Sequence, residues 1–193
     1  MAGLTLSKGG NLSLTKTDPG LTNAIVRLGW DPRTTTGDAF DLDASALMLG
    51  ANGKVRSDAD FIFYNQKDSA DGSVSHLGDN RTGEGGGDDE QIKVHLANVP
   101  ADVERIVVVV SIDQAESRRQ NFGMVRGAYC RIVNAGTDTE VVRYDLSEDA
   151  AAETCMIFAE LYRNAGEWKF KAVGQGYASG LAGVATDFGV NLG

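Results

Sequence analysis

Arg105-Ile106-Val107-Val108-Val109-Val110-Ser111-Ile112 is a continuous apolar run of strand length. It offers no alternation of apolar and polar positions, so it reads as a central strand buried on both faces, with cover on each side. Outward from it, Asn23 to Trp30, Phe40 to Leu49, Asp60 to Tyr64, Gln91 to Leu96, Arg126 to Val133 and Glu140 to Tyr144 read as further strands. Asn52-Gly53, Asp71-Gly72 and Ala135-Gly136 supply turn signals between such runs. Ile157 to Tyr162, then Asn164-Ala165-Gly166, then Trp168 to Ala172 reads as a hairpin, with a short helical turn at 147 to 152 before it. Short helices are expected after Pro100, near Gln114 to Asn121, and in the small-residue tail from Tyr177 to Phe188. About ten strands with few helix-length periodic windows predict an all-β fold, a β-sandwich of two antiparallel sheets.

Length and composition agree with one domain spanning 1–193: the chain has three prolines and no linker or charge block to divide it. A net charge of −9 argues against nucleic acid or anionic lipid as a direct partner, since both are polyanions. The N-terminus has no basic and apolar signal pattern, and no stretch of about eighteen apolar residues suggests a transmembrane segment. A cytoplasmic location is expected. Cys130 and Cys155, each within strand-like sequence, are expected as buried reduced thiols.

The segment Gly78-Asp79-Asn80-Arg81-Thr82-Gly83-Glu84-Gly85-Gly86-Gly87-Asp88-Asp89-Glu90 holds five carboxylates against one arginine. Such a run is either a solvated loop or a site for a hard cation. The acids stand at both ends of a glycine spacer, so a turn can bring Asp79 and Glu84 toward Asp88, Asp89 and Glu90. Upstream, strand alternation in Phe40-Asp41-Leu42-Asp43-Ala44 puts Asp41 and Asp43 on one face, opposite Phe40, Leu42 and Ala44. Together the two groups can complete one coordination shell. Calcium suits them, since it takes six to eight oxygens in loose geometry. The alternating acids of an EF-hand are missing, and two histidines without a spaced cysteine partner make zinc improbable.

This loop occurs with Leu28-Gly29-Trp30-Asp31, Phe40-Asp41-Leu42-Asp43-Ala44-Ser45, Asp60-Phe61-Ile62-Phe63-Tyr64-Asn65, Arg119-Gln120-Asn121-Phe122-Gly123 and Tyr144-Asp145-Leu146-Ser147-Glu148-Asp149. In that order the motifs resemble the TerD family of tellurium-resistance proteins, from Leu6-Ser7-Lys8-Gly9-Gly10 to Trp168 through Gly176. The resemblance implies a cytoplasmic bacterial stress protein with a β-sandwich fold and bound calcium, two ions rather than one. It also implies a link to resistance against tellurite, certain phages and pore-forming colicins. The metal set expected is Asp31, Asp41, Asp43, Asp79, Asn80, Glu84, Gly87, Asp88, Asp89 and Glu90. Two departures stand out. Gly86 occupies a place where relatives commonly carry another acid, which weakens affinity, and Asp113 stands one position early, on the other face of a strand, so it is left out.

Catalytic constellations are not found. The residues after Gly83-Glu84-Gly85-Gly86-Gly87 are acids that repel phosphate, Ser179 misses nucleophile-elbow spacing by one residue, and the two cysteines lack Cys-x-x-Cys spacing. The expectation is a non-enzymatic binding or scaffold module whose partners are other proteins of the resistance system, membrane-associated ones included. The alternatives are a calcium-stabilised enzyme acting on a small metabolite and a lectin-like or scaffold module with a purely structural ion. Gly174-Gln175-Gly176-Tyr177-Ala178-Ser179-Gly180 reads as a flexible exit from the last strand, and Arg118-Arg119 as a solvated pair, a salt-bridge partner or, if Phe122 is exposed, a docking contact.

Overall fold

A computed structural model describes residues 3–78, 87–146 and 152–192. Along the chain run β1 (Leu4–Leu6), β2 (Asn11–Ser13), α1 (Leu14–Thr17), β3 (Asn23–Gly29), β4 (Leu42–Leu49), β5 (Phe61–Ile62), β6 (Val74–Gly78) and β7 (Glu90–His95). After these come β8 (Arg105–Ile112), α2 (Ala115–Arg118), β9 (Tyr129–Asn134), β10 (Thr139–Asp145), β11 (Cys155–Asn164), β12 (Glu167–Tyr177) and α3 (Gly180–Asp187). They form two six-stranded sheets, the first in the order β1-β10-β9-β3-β7-β6 and the second in the order β2-β12-β11-β8-β4-β5.

The valine-rich run is β8, held antiparallel between β11 and β4. Ile106, Val108, Val110 and Ile112 enter the main core between the sheets. Val107 and Val109 point the other way, into a second apolar cluster with Leu47, Leu49, Cys155, Ile157, Val184 and Ala185. Here α3 lies against β11 and β12 and covers the outer face of the second sheet. Two-sided burial explains the unbroken apolar sequence. In β3 and β7 alternation is regular: Ala24, Val26, Leu28, Ile92 and Val94 are buried, while Arg27, Gln91 and Lys93 face outward.

Several expectations need correction. The sheets are not wholly antiparallel, because β1 pairs parallel with β10. The run after Pro100 makes one turn, Val103 N–H donating to Pro100 O, before Glu104 N–H rejoins Leu49 O, so no helix has room to form. The first part of the glycine cluster, Gly174 to Tyr177, is not a loose exit but the end of β12, and Gly180 opens α3. Gly174 has φ of +63° and lies against the Tyr144 hydroxyl, while a Cβ at Gly176 would fall 2.6 Å from the Glu153 side chain. One extra β12 residue at this point makes a bulge. Against β8, the extra residue is Phe158 of β11, which is 1% exposed and packs edge-on to Phe122 and Tyr144. The helical turn expected at 147 to 152 lies almost wholly outside the described residues.

The hairpin between β11 and β12 turns through Ala165 and Gly166, with φ of 51° and 76°. Two left-handed residues fit the twist of a two-residue hairpin, but alanine is a poor occupant. Ala165→Asn, giving Asn-Gly, is expected to raise unfolding stability by about 0.5–1 kcal/mol in a denaturant titration.

Candidate functional site

The chain leaving the acidic segment is tied to the end of β3, and its three consecutive acids take three directions. Asp89 N–H donates to Leu28 O at 2.7 Å, and Asp89 Oδ2 accepts from Trp30 N–H at 3.0 Å. The Asp89 side chain thereby extends the β3–β7 ladder past its end. Glu90 faces inward and is 1% exposed. Its Oε2 accepts from Ala44 N–H of β4 at 3.4 Å and lies 3.0 Å from His76 Nε2 of β6. One carboxylate therefore joins β7 to its neighbour β6 and, across the sandwich, to β4. A carboxylate so buried needs donors or a cation around it. Nε2 of His76 faces the Glu90 carboxylate, and Nδ1 has no hydrogen-bond partner among the described residues.

Asp88 turns to the outer face of the first sheet. Arg131 holds it in a two-pronged pair, Nε to Oδ1 at 2.8 Å and Nη2 to Oδ2 at 2.7 Å. The Tyr129 hydroxyl donates to Oδ1 at 3.0 Å, and Arg27 Nη1 is 3.6 Å from Oδ2. Gly87 supplies its carbonyl to the same hydroxyl at 3.3 Å. Register aligns Arg27, Arg131 and Arg143 side by side across β3, β9 and β10. Asp138, Glu140 and Asp145 join Asp88 in offsetting that row. In this geometry Asp88 anchors the acidic segment to the sheet. No sequence signal foretold it, because the three arginines are isolated in sequence and meet only through strand register.

The upstream pair behaves as alternation requires: Phe40, Leu42 and Ala44 join the main core. Asp41 is 5% exposed, its Oδ2 3.9 Å from Arg118 Nη1 and its carbonyl accepting from Asp113 N–H. Half-buried Asp43 lies directly before Ala44, so the Glu90 contact brings the acidic segment to the start of β4. Arg118 also lies 3.5 Å from Asp113, and Phe122 is buried, so the arginine is a salt-bridge partner and not part of an apolar docking patch. Asp31 is exposed, its N–H donating to Arg126 O, its carboxylate against Gly127. Asp79, Asn80 and Glu84 lie outside the described residues. Among the described residues, no three of His, Cys, Asp and Glu are grouped closely enough to hold a metal ion.

Both cysteines are free and buried, Cys130 in the main core and Cys155 in the outer cluster. Burial pushes each thiol up to about 12, so neither is a ready nucleophile at neutral pH. Tyr129 is likewise pushed up to about 12, by burial first and then by the charge and hydrogen bond of Asp88. An unfolded tyrosine ionises near 10, so the stabilising contribution of Tyr129 is whole below about pH 10 and is lost as pH rises toward about 12. Ultraviolet titration should therefore show a late-ionising component that includes Tyr129, and Asp88→Asn should move that part toward lower pH. Arg131→Met leaves Asp88 without its main partner and is expected to cost about 3 kcal/mol in denaturant unfolding.

The TerD domain model matches residues 1–188. A tellurium resistance protein TerD from Alcaligenes sp is 62% identical over 188 residues, 97% of this chain and 98% of that protein. General stress protein 16U of Bacillus subtilis (strain 168) is 53% identical over 191 residues, 98% of this chain and 99% of that one. The crystal structure of a TerD homologue from Streptomyces coelicolor A3(2) superposes with a TM-score of 0.70 at 26% identity, covering 86% of this chain and 96% of that one. No helix among the described residues is long and apolar enough to cross a membrane. With two facing sheets, an acidic segment rooted at β7 and likeness along nearly its whole length, the chain belongs to the TerD family of tellurium-resistance and stress proteins.

Proposed function

We propose that this chain is a calcium-binding cytoplasmic module of a tellurite and stress resistance system, non-enzymatic, in which the ion orders the acidic segment for contact with other proteins of that system. The observation carrying this reading is the burial of Asp89 and Glu90, 8% and 1% exposed, at the root of a carboxylate-rich loop and beside β4. Donor chemistry fits a hard cation: the groups there are carboxylates, and the nearby imidazole nitrogen His76 Nε2 is engaged by Glu90. Asp43, Asp89 and Glu90 would hold the ions together with Asp79, Asn80, Glu84 and the neighbouring Asp31, Asp41 and Gly87, two ions sharing acids between them. Asp88, paired with Arg131, would aim the segment. Calcium would supply charge neutralisation. The chain's own residues do the rest: Glu90 ties the site to both sheets, and Asp89 fixes the direction in which the loop leaves β7.

Relatives named for tellurium resistance and general stress support the biological setting. The expected partner is a protein, membrane-associated or free, because the acidic balance of −9 disfavours polyanions.

Isothermal titration should show saturable calcium binding below millimolar concentration, with magnesium much weaker. Calcium at one hundred times its dissociation constant should stabilise the fold by about 2.7 kcal/mol, an effect removed by chelator. Asp89→Asn with Glu90→Gln should abolish the calcium response, while Asp88→Asn should keep the binding stoichiometry. A chain that binds neither ion, or a double variant with unchanged calcium response, overturns the reading. Pull-downs from cells carrying the resistance system, in calcium and in chelator, test the partner role, and identical partner sets in both would leave the ion structural.

A further inference from the structure

On the outer face of the second sheet, α3 packs with Val109, Cys155 and Ile157. Toward the other end, strand register sets two polar rows across the sheet. Ser13 of β2, Lys169 of β12, Tyr162 of β11 and Arg105 of β8 form one row, and Asn11, Lys171 and Glu160 form the next. Leu12, Phe170, Leu161 and Ile106, one position along each strand, pack in the main core, so the side chains of both rows point outward. Lys169, Tyr162 and Lys171 are half-buried, and the Arg105 side chain is 42% exposed.

The charges on this face do not balance. Glu160, although opposite Lys171, turns to Arg105 at 3.7 Å. Glu167, two residues before Lys169 on the same face, is taken by Lys16 at 3.0 Å and by Ser13 Oγ at 2.9 Å. Among the described residues, the ammonium groups of Lys169 and Lys171 therefore stay unmatched, in a chain of net charge −9. That contrast decides the partner. At physiological salt the field of distant carboxylates is screened beyond about 8 Å, so a short acidic segment answers to the charges it touches. A long polyanion would still meet the acidic remainder of the surface. We propose that this stripe docks an extended acidic segment of a partner protein, with carboxylates on Lys169, Lys171 and Arg105 and an apolar side chain between them on Tyr162. Alternate residues of an extended segment share one face about 7 Å apart, while Lys169 and Arg105 stand two strands, about 10 Å, apart. Long basic side chains span the difference, so the matching pattern is an acid, an apolar residue and a second acid at alternate positions. The surface uses none of the residues assigned to the ion.

The peptide Glu-Ala-Phe-Ala-Glu, blocked at both ends and titrated into the isotopically labelled protein in chelator, tests this independently of the ion. Saturable binding that weakens as salt rises is expected, with amide shifts at Arg105, Glu160, Tyr162, Lys169 and Lys171. The neutral peptide Gln-Ala-Phe-Ala-Gln should bind about tenfold more weakly. Lys169→Glu with Lys171→Glu should weaken the acidic peptide by about tenfold or more. Lys67→Glu with Lys93→Glu makes the same change in net charge away from the stripe and should stay within about twofold of wild type. Tyr162→Ser should weaken the peptide by about threefold through loss of the apolar contact, and thermal melts check that each variant folds. No saturation by about 10 mM overturns the proposal. So do equal losses in the two double variants, or equal binding of the acidic and neutral peptides. A single-stranded oligonucleotide or a phosphatidylserine vesicle that binds more tightly than the peptide through the same lysines overturns the choice of partner.

Discussion

A strand buried on both faces imposes the architecture. With Val107 and Val109 as deeply covered as Val108 and Val110, β8 needs an apolar layer on each side. The first sheet supplies one, and α3, with its own Leu181 and the following Phe188, supplies the other. This makes the small-residue tail a structural layer: Val184 and Ala185 are essentially unexposed, and the helix lies close because its residues are small. The same demand sets the position of β11 and β4 on either side of β8, and with β4 the acids at its start. Core packing and the location of Asp41 and Asp43 are therefore one problem.

At the other end of the argument stand three neighbouring carboxylates that the fold sends to different places. Asp88 goes out to Arg131, Asp89 bonds to the backbone of Trp30, and Glu90 goes in to His76 and Ala44. Asp88 and Glu90 have the same parity, so strict strand alternation would put them on one face. The break comes just before β7 begins, at the bend through Asp89. A single inward carboxylate then links two sheets that hydrogen bonds of the ladders alone cannot join. Whatever neutralises that carboxylate acts on both layers at once.

Much of the fold was legible because its signals are local. The run at 105–112, the alternation in β3 and β7, and the Asn-Ala-Gly turn each carry their meaning within a few residues. What escaped was set by distant partners. The strands β1 and β2 are three residues each and gain their identity only by lying beside β10 and β12. The glycines at 174 and 176 look like a linker in sequence, yet they answer to Tyr144 and Glu153. Likewise, the convergence of Glu90 with the start of β4 was visible as grouped acids, but the claim of Arg131 on Asp88 was not, since lone arginines on wet strand faces are ordinary.

Short outer strands have a further consequence. The first sheet ends in β1 and β6, of three and five residues, and the second in β2 and β5, of three and two. Exposed edges of long strands recruit other chains by continuing the hydrogen-bond ladder, and here each terminus of a sheet offers little template for that. Among the described residues, the twelve strands thus keep the most adhesive sequence, β8, at interior positions and present short strands at the margins of the sheets. This arrangement favours remaining dispersed. Association with another chain would have to run through side chains on its faces and loops, where charge and shape can discriminate among partners.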